Sequence, residues 1–144
     1  MGLNNHALWQ VATKALIFKD GKLLALTTPD GYLDFPGGRV DETERKLPWT
    51  EALNREIDEE LGEAIRVEIG KTVFVSKRQY ERDGAVHHIA AIYFEARYVS
   101  GEVTLSDEHG SFAWINPQEL VTDKYKLMSD DERTQLRAWV SDLR

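Results

Sequence analysis

The chain has 144 residues, 42% hydrophobic and 30% charged, a balance that suits one globular domain (1–144) with a sizeable core. Its net charge of −7 and pI near 5.1 disfavour sequence-independent binding to a nucleic-acid polymer or to an anionic membrane surface. Cysteine is absent, which excludes disulfide frameworks, thiolate metal sites and cysteine nucleophiles. No apolar run reaches transmembrane length and no secretory pattern opens the chain. His6 stands where an N-myristoylation signal needs Ser or Thr. The expectation is a cytoplasmic protein.

Residues 9–19 read as a strand closed by Asp20-Gly21, a strong two-residue hairpin signal, with residues 22–27 returning as its partner. Residues 28–33 contain Pro and Gly and read as a loop. A helix is expected from Pro48, which suits a first helical position, or from Thr50, which suits an N-cap; both starts are open. Gly62 suits its end. Residues 66–80 alternate at Val67, Ile69, Val73 and Val75 and read as a strand. Residues 81–84 end in Asp83-Gly84, a second hairpin signal, and residues 86–98 form a long, largely apolar strand. Ser100-Gly101 turns the chain, and residues 112–115 read as a short strand. Asn116-Pro117-Gln118-Glu119 opens a short helix with an N-cap residue and Pro at N1. Ser129-Asp130-Asp131-Glu132 is a capping box for a final helix, whose apolar Leu136, Trp139, Val140 and Leu143 follow the 3.6-residue period. Strands and helices alternate without repeats or linkers, which points to the α/β (α+β) class.

Chemistry concentrates in residues 37–62, GGRVDETERKLPWTEALNREIDEELG. Glu56, Glu59 and Glu60 stand at i, i+3 and i+4, so one helix face carries all three carboxylates. Without interposed cations such groups repel one another. Leu53, Ile57, Leu61 and Ala64 form the apolar stripe of the same helix. At ~100° per residue, Glu60 lies about 20° from Leu53 and Glu56 about 60° from it. A solvated face lies opposite the stripe, whereas these carboxylates flank the core, where unpaired charge is costly. A hard divalent cation held through oxygen relieves the repulsion, and Mg²⁺ usually takes its remaining ligands from water and substrate phosphates. The segment reads as a metal site for a phosphorylated substrate.

The segment resembles the signature box of the Nudix hydrolase family, G-x5-E-x7-R-E-U-x-E-E-x-G-U with U a bulky apolar residue. Gly38, Glu44, Arg55, Glu56, Ile57, Glu59, Glu60 and Gly62 fall on it. There are two departures. Residues 45–54, ten instead of seven, separate Glu44 from Arg55, with the insertion expected near residues 45–49. Glu63, followed by Ala64, takes the last apolar position. The resemblance implies an α/β/α sandwich with a mixed sheet between helices. It implies that Glu56, Glu59 and Glu60 bind metal and serve catalysis, and that a backbone carbonyl of the Gly37-Gly38 pair reaches the metal. Arg55 cannot be a ligand, since guanidinium offers only donors. By resemblance it orients the box through a charge-assisted pair with Glu44.

Other candidates lie outside the box. Glu108 stands six residues before Trp114, where many Nudix proteins carry an acidic metal ligand or general base; a solvated acidic turn is the competing reading, and Asp107 is the fallback. Arg39 and Arg78, with Lys14, Lys77 and Arg82, are the cations available to phosphates, although exposed cations are more often simply solvated. Tyr80 lies 17 residues after Glu63, a place where some dinucleoside-polyphosphate-cleaving members carry a nucleotide-stacking Tyr; a core or cross-strand role competes. His87 and His88 face opposite sides of a strand and are left unassigned.

The resemblance implies hydrolysis of a pyrophosphate bond in a nucleoside diphosphate linked to another moiety: a nucleotide sugar, a dinucleoside polyphosphate or a (d)NTP. The expected cofactor is Mg²⁺, with Mn²⁺ as a substitute. Divalent cations on Glu56, Glu59 and Glu60 neutralise the diphosphate and acidify a water, and Glu108 or a box glutamate takes its proton. The competing reading is a nucleotide-binding or sensing module of the same fold without hydrolysis. An isomerase of this fold that uses Cys is disfavoured by the absence of one. The partner is a small nucleoside diphosphate derivative, and the oligomeric state is open, a homodimer included.

Overall fold

The structure, a computed structural model, describes residues 5–143. β1 (Gln10–Lys19) and β2 (Lys22–Thr27) form a hairpin across Asp20-Gly21, with φ of 51° and 78°. β5 (Arg66–Arg82) and β6 (Ala85–Ser100) form a longer one across Asp83-Gly84, with φ of 54° and 76°. Positive φ at both central residues matches the twist of the flanking strands, which is why Asp-Gly sits at both turns. The second hairpin runs further than its sequence suggests. Residues 81 and 82 still pair with Val86 and Ala85, so the turn is confined to Asp83-Gly84.

Two short strands escape a sequence reading. β3 (Leu33–Asp34) lies at the end of the expected loop, and β4 (Gly37–Arg39) is built from the glycine pair. Glycine is depleted in strands, so Gly-Gly gives no strand signal. β7 (Ser111–Ile115) follows as expected. The sheet has seven strands in the order β3-β2-β1-β6-β5, with β4 on β1 and β7 on β2. β1 and β6 are parallel and the other pairs antiparallel, so the sheet is mixed. β1 pairs with β2 only near its C-terminal end; its N-terminal half pairs with β4 at Ala12↔Arg39, Thr13↔Gly38 and Lys14↔Gly37. This change of partner opens the sheet where the glycines lie.

α1 (Trp49–Leu61) and α2 (Asp130–Ser141) cover opposite faces. Ala12, Leu16, Leu23 and Ala25 pack with Leu136 and Val140 of α2, while Ala15, Ile17, Leu24 and Leu26 pack with Leu53, Ile57 and Leu61 of α1. Alternate residues of β1 and β2 therefore feed two cores, which is why these strands read as continuous apolar runs. α1 begins at Trp49, between the two expected starts, with Pro48 as its N-cap and Thr50 as the second helical residue. Ser129 caps α2 by accepting from Glu132 N at 3.0 Å. The return bond of the expected box goes one residue further back: Glu132 Oε1 accepts from Met128 N at 3.1 Å, and Oε2 accepts from the buried Tyr93 hydroxyl. Asn116 caps the 3₁₀ turn Pro117–Val121. Among the described residues no helix is long and apolar enough to cross a membrane.

Candidate active site

The glycine pair is what allows α1 to approach the sheet. Gly37 has φ 135°, and a Cβ there would stand 1.9 Å from the Thr13 carbonyl oxygen. A Cβ on Gly38 would stand 2.6 Å from Glu56 Oε1. Gly37 is required by its own φ and by the backbone of β1, while a side chain at Gly38 would displace the Glu56 carboxylate of α1. Gly37 N donates to Glu60 Oε1 at 2.7 Å, fixing that glutamate against β4.

The three box glutamates occupy different surroundings. Glu60 is 3% exposed, the Glu56 side chain is mostly buried, and the Glu59 side chain is 59% exposed. Burial pushes the Glu60 carboxyl up to about 7, against the pull of Lys14 and the Gly37 N–H. Burial also raises Glu56, with Arg55 opposing it. Arg55 donates to Glu44 through Nε at 2.7 Å and Nη2 at 2.8 Å, a bidentate pair that holds Glu44 below the usual carboxylate range and Arg55 above its own. The same guanidinium lies 3.1 Å from Glu56 and from Glu59. The repulsion expected among Glu56, Glu59 and Glu60 is therefore partly relieved within the chain, since Arg55 pairs with Glu56 and Glu59. The insertion does not separate Glu44 from Arg55. Residues Glu42–Glu44 form a 3₁₀ turn, Asp41 N donates to Glu44 Oε1 at 2.9 Å, and the extra length bulges out before Pro48.

Glu108 reaches the site because its loop is tied down by backbone bonds. Thr104 N donates to Leu61 O at 2.8 Å, Ser106 N to Glu60 O at 3.0 Å and Gly110 N to Thr27 O at 2.8 Å. Glu60, Glu108 and His109 then present ligand atoms within 4.8 Å of one another. Sequence reasoning passes over His109 and Asp34. His109 Nε2 lies 3.4 Å from both Asp34 Oδ2 and Glu60 Oε2, and the bond to Asp34 raises the imidazole above its ordinary value. Lys14 Nζ donates to Asp34 Oδ1 at 3.0 Å and to Phe35 O at 3.2 Å, with Gly37 O at 3.4 Å. Burial alone would raise Asp34, but Lys14 and His109 together hold it well below the usual range. The only sequence signal for this group is His109 beside Glu108; a Lys inside an apolar strand and an Asp between Leu33 and Phe35 become meaningful once the sheet forms.

These groups line a cleft of roughly 680 Å³ that also receives Arg39 and Arg78. Glu59 and Glu108 line it, whereas Asp107, Lys77 and Arg82 are not among its walls. The Lys77 backbone instead braces α2, its N–H donating to Asp131 and its carbonyl accepting from Ser129. Tyr80 stands behind Arg39. The guanidinium sits 5.0 Å from the ring centroid and donates to the phenol oxygen, while His87 stacks on the ring at 5.0 Å. His88 packs against Trp9 at 5.0 Å. A hard divalent cation fits this donor set: Glu60, Glu108 and His109 bring ligand atoms within 4.8 Å of one another, Glu56 lines the same cleft, and phosphate-sized space lies beside them.

Comparison with known proteins agrees with this geometry. The model of the NUDIX domain family matches residues 8–139. A nucleoside triphosphatase NudI of Escherichia coli O139:H28 (strain E24377A / ETEC) is 36% identical over 118 residues, covering 74% of this chain and 81% of the relative. The crystal structure of a MutT protein from Methanosarcina mazei Go1 superposes with a TM-score of 0.72 at 23% identity, covering 93% of this chain and 94% of the other. The solution structure of the E. coli ORF135 protein gives 0.66 at 27% identity, covering 92% and 89%. Nudix hydrolases generally use a divalent metal and act on small nucleotide derivatives. A match of this extent, on a fold and a glutamate cluster of this kind, makes the chain a member of the Nudix family and a Nudix pyrophosphohydrolase.

Proposed function

We propose that the protein hydrolyses the pyrophosphate bond of a nucleoside diphosphate linked to a further group, with nucleoside triphosphates first among the candidates. The clustering of Glu60, Glu108 and His109 in an arginine-lined cleft that Glu56 also lines supports the reading, and the 36%-identical relative named a nucleoside triphosphatase favours the triphosphate. Glu56, Glu60 and Glu108 would hold Mg²⁺ (or Mn²⁺), with Glu59 and the Gly37 carbonyl nearby. When bound, the cation neutralises diphosphate charge and acidifies a water.

The chain's own groups divide the rest of the work. Arg39 and Arg78 face the phosphate oxygens. Tyr80 serves binding through Arg39, which it orients by a hydrogen bond and a cation–π contact. Arg55 fixes Glu56 and Glu59 on the cleft wall. His109, itself paired with Asp34, holds Glu60. Exposed Glu108 accepts the proton of the attacking water, which bonds to phosphorus as the anhydride P–O bond breaks. A triphosphate yields a nucleoside monophosphate and pyrophosphate. The test is a screen of (d)NTPs, nucleotide sugars and dinucleoside polyphosphates with Mg²⁺ or Mn²⁺, scored by product identity. Nucleotide binding without release of a phosphorylated product from any of them would return the chain to the binding-module reading.

A further inference from the structure

A second groove, of roughly 390 Å³, opens off the glutamate cleft and shares Gln10, Arg39, Val40 and Asp41 with it. Two indoles stand on its walls. Trp9, just before β1, is 42% exposed, and Trp49, the first residue of α1, is 44% exposed. Indoles open to solvent forgo much of the burial that makes this side chain useful to a core, and two of them on one groove mark a surface built for contact. Arg45 lines the same groove and is paired with Glu42 at 3.2 Å, so charged donors and acceptors stand beside the rings. Arg45 belongs to the stretch by which this box exceeds the family spacing, and Trp49 ends it. The additional residues thus leave the Glu44–Arg55 pair intact and supply one wall of the groove. Tyr80, near the cleft, is engaged by both Arg39 and His87, whereas Trp9 meets one ring, the tilted His88 at 5.0 Å, and stays 42% exposed.

We propose that the groove walled by Trp9 and Trp49 binds the nucleobase of the substrate whose phosphates occupy the glutamate cleft. The assignment rests on the hydrolytic reading above and specifies where that substrate is recognised. Stacking suits every base, because each has a π-face, so the subsite selects nucleotides over base-free phosphates without fixing which base. Arg45 and Glu42 offer hydrogen bonds to the base edges.

Kinetics of Trp9→Leu, Trp49→Leu and Trp49→Phe on the best nucleoside triphosphate test this. Leu keeps apolar bulk without a π-face, and Phe restores one. Each Leu variant is expected to raise KM about tenfold with kcat little changed, and Trp49→Phe to recover most of the loss. The Ki of inorganic pyrophosphate, which has no base, should stay within twofold of wild type. A nucleoside monophosphate should quench wild-type tryptophan fluorescence, and ribose 5-phosphate should not. If wild type hydrolyses no nucleotide, the hydrolytic reading fails. If wild type is active and both Leu variants keep its KM, the subsite is overturned. It is equally overturned if pyrophosphate inhibition weakens in step with KM, because the loss is then general to the cleft.

Discussion

A carboxyl group as enclosed as that of Glu60 holds its proton to about pH 7 in the metal-free protein, and Glu108, on the exposed rim, faces the same space. The two residues are therefore separable by substitution. Glu60→Gln keeps an acceptor for the Gly37 N–H and removes the charge, so the fold should survive while kcat falls on the order of 10²-fold or more, as loss of several kcal/mol of metal-centred stabilisation requires. Glu108→Gln should slow turnover and flatten the acid limb of the pH–rate profile. Recovery of its rate at raised Mg²⁺ with the limb intact would make Glu108 a ligand only. An unchanged rate and profile would move the proton-accepting role to a box glutamate, since Asp107 does not line the cleft. Much of this cluster is legible in sequence because the spacing of Glu56, Glu59 and Glu60 along a helix is a local property. The grouping of Asp34, Lys14 and His109 is not legible, and Lys14, a candidate phosphate cation in sequence, is instead paired with Asp34, because two strands and a loop meet only in the folded sheet.

At the scale of elements, the stretch before α1 shows how added length is absorbed. Its 3₁₀ turn presents Glu44 to Arg55, and the surplus bulges outward. A double-mutant cycle with Glu44→Gln and Arg55→Gln should show coupling of about 1–2 kcal/mol by chemical denaturation, with additivity the result that contradicts the observed pair. Both Asp-Gly hairpins are visible in the chain, since positive φ at two successive residues leaves few alternatives. β4 is invisible there, because what bears on its glycines lies elsewhere in the fold, the Thr13 backbone against Gly37 and the Glu56 carboxylate against Gly38. Glu108 is visible by its spacing to Trp114, but the way its loop is held is hidden. Backbone amides of Thr104, Ser106 and Gly110 anchor it, and backbone bonding leaves no side-chain signature.

For the molecule as a whole, these buried groups set a pH dependence of stability. The Glu60 carboxyl titrates near 4.5 in the unfolded chain and about 7 in the fold, so the native state keeps a proton the unfolded state has lost, and stability falls as pH rises across that window. The shift corresponds to about 3 kcal/mol at most. His109, raised above 6.5, adds stability below that value that is also lost as pH rises through its folded value. Asp34, held low, contributes stability that disappears only in strong acid. Metal-free protein should therefore melt several degrees higher at pH 5.5 than at pH 8, read by calorimetry in EDTA. Added Mg²⁺ should stabilise it far more at pH 8, because the ligands must be deprotonated. The reverse order would contradict the burial of Glu60 as a protonated group.

Trp139 packs into the core beneath α2 and Trp114 into the core beneath α1, on opposite faces of one sheet. With Trp9 and Trp49 replaced by Phe, each remaining indole becomes an optical reporter of a single layer. β1 and β2 lend alternate side chains to both layers, so neither can melt without loosening strands the other needs. Emission from single-indole variants at Trp114 and Trp139 should lose native character at one shared midpoint, the sheet acting as the mechanical link that makes two cores a single cooperative unit.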